Sequence, residues 1–152
     1  MLKKIVLPAD TYVVVNKTIL SDQDRKLLSM LYQPIIGSVA TNLYFSLWSN
    51  LDRSEIISTE YTHHYLMANM QLNLDEIIEA RERLEGIGLL KVFLQEGNIN
   101  RYIYELFSPV SAYEFFNNPI LNTAFYSNVG KEEYDKIVSY FEIPRLNTKD
   151  YE

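Results

Sequence analysis

The sequence has 152 residues, about the length of one domain, and its 47% hydrophobic and 22% charged residues suit a chain that folds around a single core. Its formal net charge of −6 argues against a domain whose main task is to hold the phosphate backbone of nucleic acids. The absence of cysteine excludes disulfide frameworks, thiolate metal sites and cysteine nucleophiles, and it fits the reducing conditions of the cytoplasm.

The first predicted elements are a strand and two helices. Residues 12–15, Tyr-Val-Val-Val, form a β-rich run that predicts a short strand, and a later hairpin is its expected pairing partner. Ser21 is a good N-cap for a first helix, and Pro34 is expected to end that helix because the residue before a proline disfavours helical geometry. A second, central helix is predicted over about 38–51, where apolar residues recur every four positions.

The stretch from 27 to 51 carries no charged side chain and is long enough to span a bilayer. A bilayer would, however, leave the backbone around Pro34 and Gly37 without hydrogen-bond partners. Two buried helices joined by a turn are therefore the prediction for this stretch.

Two further helices and a hairpin follow. Thr62 is the expected N-cap of the third helix, and Asn73 with Glu76 forms a capping-box start for the fourth. Gly86 and Gly88 are expected to close that fourth helix.

The runs 89–95 and 101–107 are both β-rich and flank a glycine-bearing turn, which predicts a hairpin. Helix, turn, helix and hairpin in this order are typical of a winged helix. The predicted fold class is mainly α with a small β-hairpin, a winged helix with an extra N-terminal strand and extra C-terminal helices.

The C-terminal part is predicted to be helical again. Asn118 caps a helix, Gly130 interrupts it, and 131–141 has the apolar spacing of a last amphipathic helix. We expect residues 1–142 to form the winged-helix interaction domain. Residues 143–152 are expected to be a polar tail, or the start of a linker to a further C-terminal domain.

No catalytic constellation is visible in the sequence. Walker, GxSxG and HExxH patterns are absent, and paired carboxylates lie on polar helix faces. The adjacent His63 and His64 would point about 100° apart on a helix, so they are poorly placed to share a metal. We therefore expect no catalytic residue, no metal and no cofactor, and predict a protein that binds other macromolecules.

The fourth helix is the groove-reading element of a DNA-binding winged helix, but here it carries five acidic side chains against two basic ones. Arg81 and Arg83 are expected to pair with neighbouring glutamates, and the outer face of the helix is expected to be solvated. The alternative function is a DNA-binding transcription regulator, with Arg81, Arg83, Lys91 and Arg101 as its DNA contacts.

The hairpin is apolar on both faces, so one core does not cover all of it. One interpretation is that the N-terminal strand or the tail helices cover the second face. The other is that this face binds a second copy or a partner protein, and the two are compatible. The candidate interface residues are Phe93, Leu94, Ile99, Tyr102 and Tyr104.

Short motifs spread over residues 5–141 resemble the DnaB/DnaD primosomal family, in particular the replication initiation and membrane attachment proteins of low-GC Gram-positive bacteria. Each motif is short, and it is their order and spacing that is specific. They include 31–37 (Leu-Tyr-Gln-Pro-Ile-Ile-Gly), Leu43-Tyr44, Leu47-Trp48, 84–92 (Leu-Glu-Gly-Ile-Gly-Leu-Leu-Lys-Val), Phe115-Phe116-Asn117 and Val129-Gly130.

The resemblance implies an N-terminal winged-helix domain that oligomerises and joins the replication initiation machinery. In that family the full proteins help to load the replicative helicase, alongside the initiator, a DnaD-like protein and the helicase loader. Single-strand DNA binding is associated there with a C-terminal domain and its tyrosine-isoleucine-tryptophan signature, which this sequence lacks because Trp48 is its only tryptophan. Membrane contact, and with it a position peripheral to the membrane, is implied for the whole protein alone.

Overall fold

The structure is a computed structural model that describes residues 5–16, 18–51 and 56–142. The chain forms two compact units that divide between Pro109 and Val110. The first contains the strand, the helix-turn-helix and the hairpin, and the second contains the C-terminal helices. The domain boundaries 1–142 stay a prediction, and the predicted polar tail at 143–152 lies outside the described residues.

Within the described residues of the first unit, four strands form one mixed sheet: β1 (Thr11–Val15), β2 (Tyr61–Thr62), β3 (Leu90–Gln95) and β4 (Arg101–Leu106). Their order in the sheet is β2-β1-β4-β3. The strands β3 and β4 form the predicted antiparallel hairpin, and β1 pairs in parallel with β4, so the expected pairing of the N-terminal strand is confirmed. The short β2, which pairs antiparallel with β1, was not predicted.

The first helix, α1 (Asp22–Leu27), begins at the predicted cap, since Ser21 and Asp24 form a reciprocal capping box. The prediction that Pro34 ends the first helix is wrong. The chain continues through one π-helical stretch, Leu28–Tyr32, directly into α2 (Gln33–Ser49). Pro34 lies in the first turn of α2, directly after the π-helical stretch, so it falls at the junction of two helical segments and not after the end of a helix.

The actual interruption of α2 is at Gly37, which has φ +86° and ψ 167°. The regular helix therefore starts again at Ser38, where the second helix was predicted to begin. No helix in the described ranges is long and apolar enough to cross a membrane.

The helix-turn-helix consists of α3 (His63–Met70) and α4 (Leu74–Gly86). Both predicted caps are confirmed: the Thr62 hydroxyl accepts from the Tyr65 N–H at 3.1 Å, and the Asn73 side chain accepts from the Glu76 N–H at 2.8 Å. In the core, α2 packs on α4 and β4, and α4 packs on β3. The inner sheet face contributes buried Tyr12, Val14, Tyr102, Tyr104 and Leu106, and the helices contribute Leu43, Leu47, Leu66, Ile77 and Leu84.

The second unit is helical and has an aromatic core of its own. It contains α5 (Ala112–Asn117) and α6 (Pro119–Phe141), and the predicted break at Gly130 is confirmed by φ +81°. Phe115 and Phe125 are fully buried, with ring centroids 5.7 Å apart.

Candidate protein-interaction surface

The sheet of the first unit has one face in the core and one face towards solvent. Side chains alternate along β1 and β4, so Val13 and Val15 lie on the face opposite buried Tyr12 and Val14. Register places Val13 beside Ile103, and Ile103 opposite Phe93, which makes an apolar row across three strands. Ile57, bridged to Val15, extends it. We call the set Val13, Val15, Ile57, Phe93 and Ile103 the outer sheet face.

Three of the five side chains of the outer sheet face are exposed, which is unusual for neighbouring apolar side chains, while Val13 and Val15 are half-buried. Phe93 is 42% exposed, Ile103 is 38% exposed and Ile57 is 53% exposed. The N-terminal strand does not cover this face, because β1 extends the sheet sideways and adds apolar side chains to it. Isolated exposed apolar residues are ordinary, but a contiguous row on one sheet face is typical of an interaction site.

The predicted interface residues divide into two groups. Phe93, Leu94 and Ile99 are 42%, 37% and 52% exposed, so they are available on the surface of the hairpin. Tyr102 and Tyr104 are 4% and 2% exposed and belong to the inner face, so placing them at an external interface requires correction. The residue of β4 on the outer face, which sequence reasoning missed, is Ile103.

Tyr104 belongs to a buried hydrogen-bond network centred on His63. The fully buried His63 ring lies 2.7 Å from the Asp10 carbonyl through Nδ1 and 2.5 Å from the Tyr104 hydroxyl through Nε2. A carbonyl only accepts, so Nδ1 carries the proton, and Nε2 of the neutral ring accepts from the tyrosine. Burial lowers the pKa of His63; nearby Arg81 adds to this lowering, and the Asp10 hydrogen bond opposes it.

Asp10 joins the starts of three elements and thereby positions the hairpin. Its buried carboxylate accepts from the Leu7 N–H at 2.8 Å and from the Asn100 N–H at 3.1 Å. Its carbonyl accepts from the backbone N–H of His63 at 3.1 Å as well as from the ring. These bonds fix where β1, β4 and α3 begin relative to one another, and so they orient the outer sheet face.

Of the four residues proposed for DNA contact, the two on α4 are engaged with glutamates, as predicted. Arg81 Nε lies 3.5 Å from Glu85, and only 15% of its side chain is exposed because it packs over the Tyr102 ring. Arg83 lies 3.3 Å from Glu79 and also donates to the Ile36 carbonyl at 3.3 Å.

The other two residues proposed for DNA contact lie on the hairpin, on the outer side of the sheet. Arg101 lies 2.7 Å from Glu60, and the Lys91 ammonium lies 5.1 Å from the centre of the Phe93 ring. Because Arg81 is under the inner face of the sheet, the four residues are not gathered into one basic patch.

Outside the sheet, a groove with a volume of about 430 Å³ lies between α2 and the end of α3. It is lined by uncharged side chains, among them Val39, Phe45 and Met70. In the part of the chain that the structure describes, no three histidine or carboxylate side chains converge on one point.

The fold and this surface define a winged-helix domain whose exposed apolar surface lies on the sheet, while its groove-reading helix is acidic. The chain belongs to the family of DnaB N-terminal winged helix domains, whose model matches residues 6–148. The family resemblance seen in the sequence is thereby confirmed.

Two relatives agree with this membership. The chain is 30% identical over 145 residues to the replicative helicase loading/DNA remodeling protein DnaB of Staphylococcus aureus (strain NCTC 8325 / PS 47). This match covers 95% of the chain and 31% of that protein. The crystal structure of primosome protein DnaB (residues 1–300) from Geobacillus stearothermophilus superposes with a TM-score of 0.88 at 33% identity, covering 97% of this chain and 56% of that one.

Proposed function

We propose that this chain is the non-catalytic oligomerisation and protein-docking module of a DNA replication initiation protein. Its family and the names of its two relatives, a replicative helicase loading protein and a primosome protein, support a role in initiation. The chain spans less than a third of the first relative and just over half of the second. Contacts with an initiator, a DnaD-like protein and a helicase loader therefore belong to this proposal.

The observation that carries the docking role is the outer sheet face. A row of apolar side chains crosses three strands on the side of the sheet that does not face the core, and Phe93, Ile103 and Ile57 in this row are exposed. Each square ångström of apolar surface removed from water contributes roughly 25 cal/mol, so covering this row with another chain is favourable. The acidic α4 offers no comparable gain from phosphate binding, since like charges repel.

The test replaces two opposing residues of the row together, as Phe93→Glu with Ile103→Lys. The two positions are cross-strand neighbours, so the introduced charges pair with each other and the hairpin keeps its register. We expect sedimentation at tens of micromolar to show an oligomer for the unchanged chain and a folded monomer for the double variant.

The matched control exchanges another opposing pair, as Gln95→Arg with Arg101→Gln, which alters charge positions and removes no apolar side chain. It is expected to sediment like the unchanged chain. An unchanged chain that is monomeric at these concentrations would rule out oligomerisation. A folded Phe93→Glu/Ile103→Lys variant that still assembles would place the interface elsewhere.

A further inference from the structure

The strand β3 is an edge strand of the described sheet. One hydrogen bond shows which of its residues direct their backbone N–H and C=O groups at β4 and which direct them away from it. The Phe107 N–H donates to the Leu89 carbonyl at 3.0 Å, and the register places these two residues opposite each other. In an antiparallel ladder the residues that exchange hydrogen bonds alternate. Lys91 and Phe93 therefore direct their backbone groups at β4. Leu90, Val92 and Leu94 direct their N–H and C=O groups towards the open edge.

This edge has few of the features that keep edge strands from pairing. Natural edges are protected by several charges, a proline, a bulge or a very short strand. The six residues of β3 pair with β4 without a bulge, contain no proline, and carry one charged side chain, Lys91. Apolar side chains are exposed on both sides of the edge, Phe93 at 42% on the outer face and Leu94 at 37% on the inner face. A strand added here would cover both.

We propose that β3 pairs with β3 of a second copy of this chain, antiparallel and about a two-fold axis at Val92. The two four-stranded sheets then form one eight-stranded sheet. The inference rests on the proposed oligomerisation and places one of its contacts at the edge of the sheet, next to the outer sheet face. A second copy is the fitting occupant because β3 is complementary to itself when it runs antiparallel: its three edge-facing residues meet three edge-facing residues, and Lys91 meets Phe93, a pair of side chains that already pack together within one chain.

Symmetry and backbone direction select the register. With the axis at Val92, Leu90 lies opposite Leu94 of the second copy, so all three edge-facing residues find partners. Lys91 then lies opposite Phe93 of the second copy. An axis at Lys91 would instead place two lysines opposite each other, which is unfavourable. An axis at Phe93 would leave Leu90 opposite a residue beyond the end of the strand.

The charge on the edge is compatible with this pairing. The Lys91 ammonium already lies 5.1 Å from the centre of its own Phe93 ring, which shows that the two side chains fit together on the outer face. In the paired sheet, lysine and phenylalanine alternate across the axis, and each ammonium faces the aromatic ring of the other copy. The single charge of the edge is therefore accommodated without an opposing like charge.

The first experiment substitutes Val92→Pro in the full chain. Proline removes an N–H that points to the open edge and leaves the ladder between β3 and β4 complete. Val92→Thr is the control, because it keeps the N–H and a β-branched side chain. We expect the proline variant to fold but lose the β3-mediated association in sedimentation, while the threonine variant assembles like the unchanged chain. A folded proline variant with unaltered assembly would overturn the proposal.

The second experiment tests the register directly and does not depend on the proline variant folding. The chain has no cysteine, so single cysteines can be introduced without background. A Lys91→Cys chain is mixed with a tagged Phe93→Cys chain and oxidised. Residues opposite each other in an antiparallel pair lie about 4.5–5.5 Å apart, within disulfide reach.

We expect the mixed 91–93 disulfide to form in preference to 91–91 or 93–93. Dominance of a like-with-like disulfide would overturn the register. An oligomeric unchanged chain without any of these cross-links would overturn edge pairing and leave the proposed oligomerisation standing. An unchanged chain that is monomeric would rule out both the edge pairing and the proposed oligomerisation.

Discussion

His63 and His64 are neighbours in sequence and opposites in environment. His64 is exposed, while His63 is completely buried at the first turn of α3. Two polar partners, the Asp10 carbonyl and the Tyr104 hydroxyl, make that burial tolerable. Neither partner is near His63 in the sequence, so no local sequence pattern predicts this hydrogen-bond network.

The buried His63 predicts a loss of stability in acid. Because burial lowers its pKa in the folded state, the unfolded chain binds more protons than the folded chain as the pH falls below about 6.5. The stabilisation contributed by the neutral ring is therefore complete above that pH and declines below it. We expect the difference in unfolding free energy between the unchanged chain and His63→Gln to shrink from pH 7.5 to pH 5.5 in denaturant titrations.

The control for this effect is His64→Ala, which keeps the buried ring and should retain the full pH dependence of the unchanged chain. A constant difference between the unchanged chain and His63→Gln across this pH range would contradict the assignment.

Asp10 gives a second prediction at the same scale. Removing its carboxylate by Asp10→Ala breaks the partly buried hydrogen bonds from the N–H groups of Leu7 and Asn100, and losing a hydrogen bond to a charged group costs about 1.5–3 kcal/mol. We expect Asp10→Ala to lower the unfolding free energy by about that amount and to make the N-terminal strand more rapidly cleaved by a protease than in the unchanged chain. Asp22→Ala, at an exposed site in α1, is the comparison and should change stability little. An Asp10→Ala chain as stable as Asp22→Ala would contradict the role given to this carboxylate.

The hairpin shows what an element's sequence can and cannot reveal. Its existence follows from two β-rich runs around a turn and is confirmed, while its register, Leu90 opposite Leu106 and onwards, is known from the structure. Which face is buried is harder, because Phe93 and Ile103 are as apolar as Tyr102 and Tyr104. The one available signal is that Lys91, Arg101 and Glu105 all fall on the odd-numbered side, which marks it as the solvent face. That signal assigns Ile103, rather than Tyr102 and Tyr104, to the surface.

The kink in α2 depends on one glycine, and its substitution tests the backbone geometry. Gly37 has φ +86° with ψ 167°, a conformation that essentially glycine alone adopts, and other residues there cost on the order of 1–3 kcal/mol. We expect Gly37→Ala to lower the unfolding free energy by about that amount in chemical denaturation.

Gly86→Ala is the matched control for this substitution. An added Cβ at Gly86 meets nothing within 4 Å and its φ is not positive, so alanine there is expected to be neutral or stabilising by about 0.4–1 kcal/mol. Equal changes in unfolding free energy for Gly37→Ala and Gly86→Ala would contradict this prediction, because alanine would then adopt the backbone conformation of Gly37 without strain.

At the scale of the molecule, the charge distribution argues that this winged helix does not bind duplex DNA. The net charge is −6, α4 is acidic, and the Arg81 side chain is mostly buried beneath the sheet. We expect fluorescence anisotropy at low salt to give a Kd for duplex DNA weaker than about 10⁻⁴ M, the weak end of non-specific binding. Salt-sensitive binding tighter than this, and weakened by the double substitution Lys91→Ala with Arg101→Ala, would favour the alternative function, a DNA-binding transcription regulator.

The sequence by itself determined the order of the elements, the caps at Ser21, Thr62 and Asn73, and the acidity of the groove-reading helix. These properties depend on residues within about four positions of one another, where helix caps and hydrophobic periodicity operate. Tertiary structure alone decided that β1 joins the sheet in parallel beside β4 and that His63 is buried between Asp10 and Tyr104. Those outcomes depend on groups that are separated by tens of residues and meet only when the chain is folded.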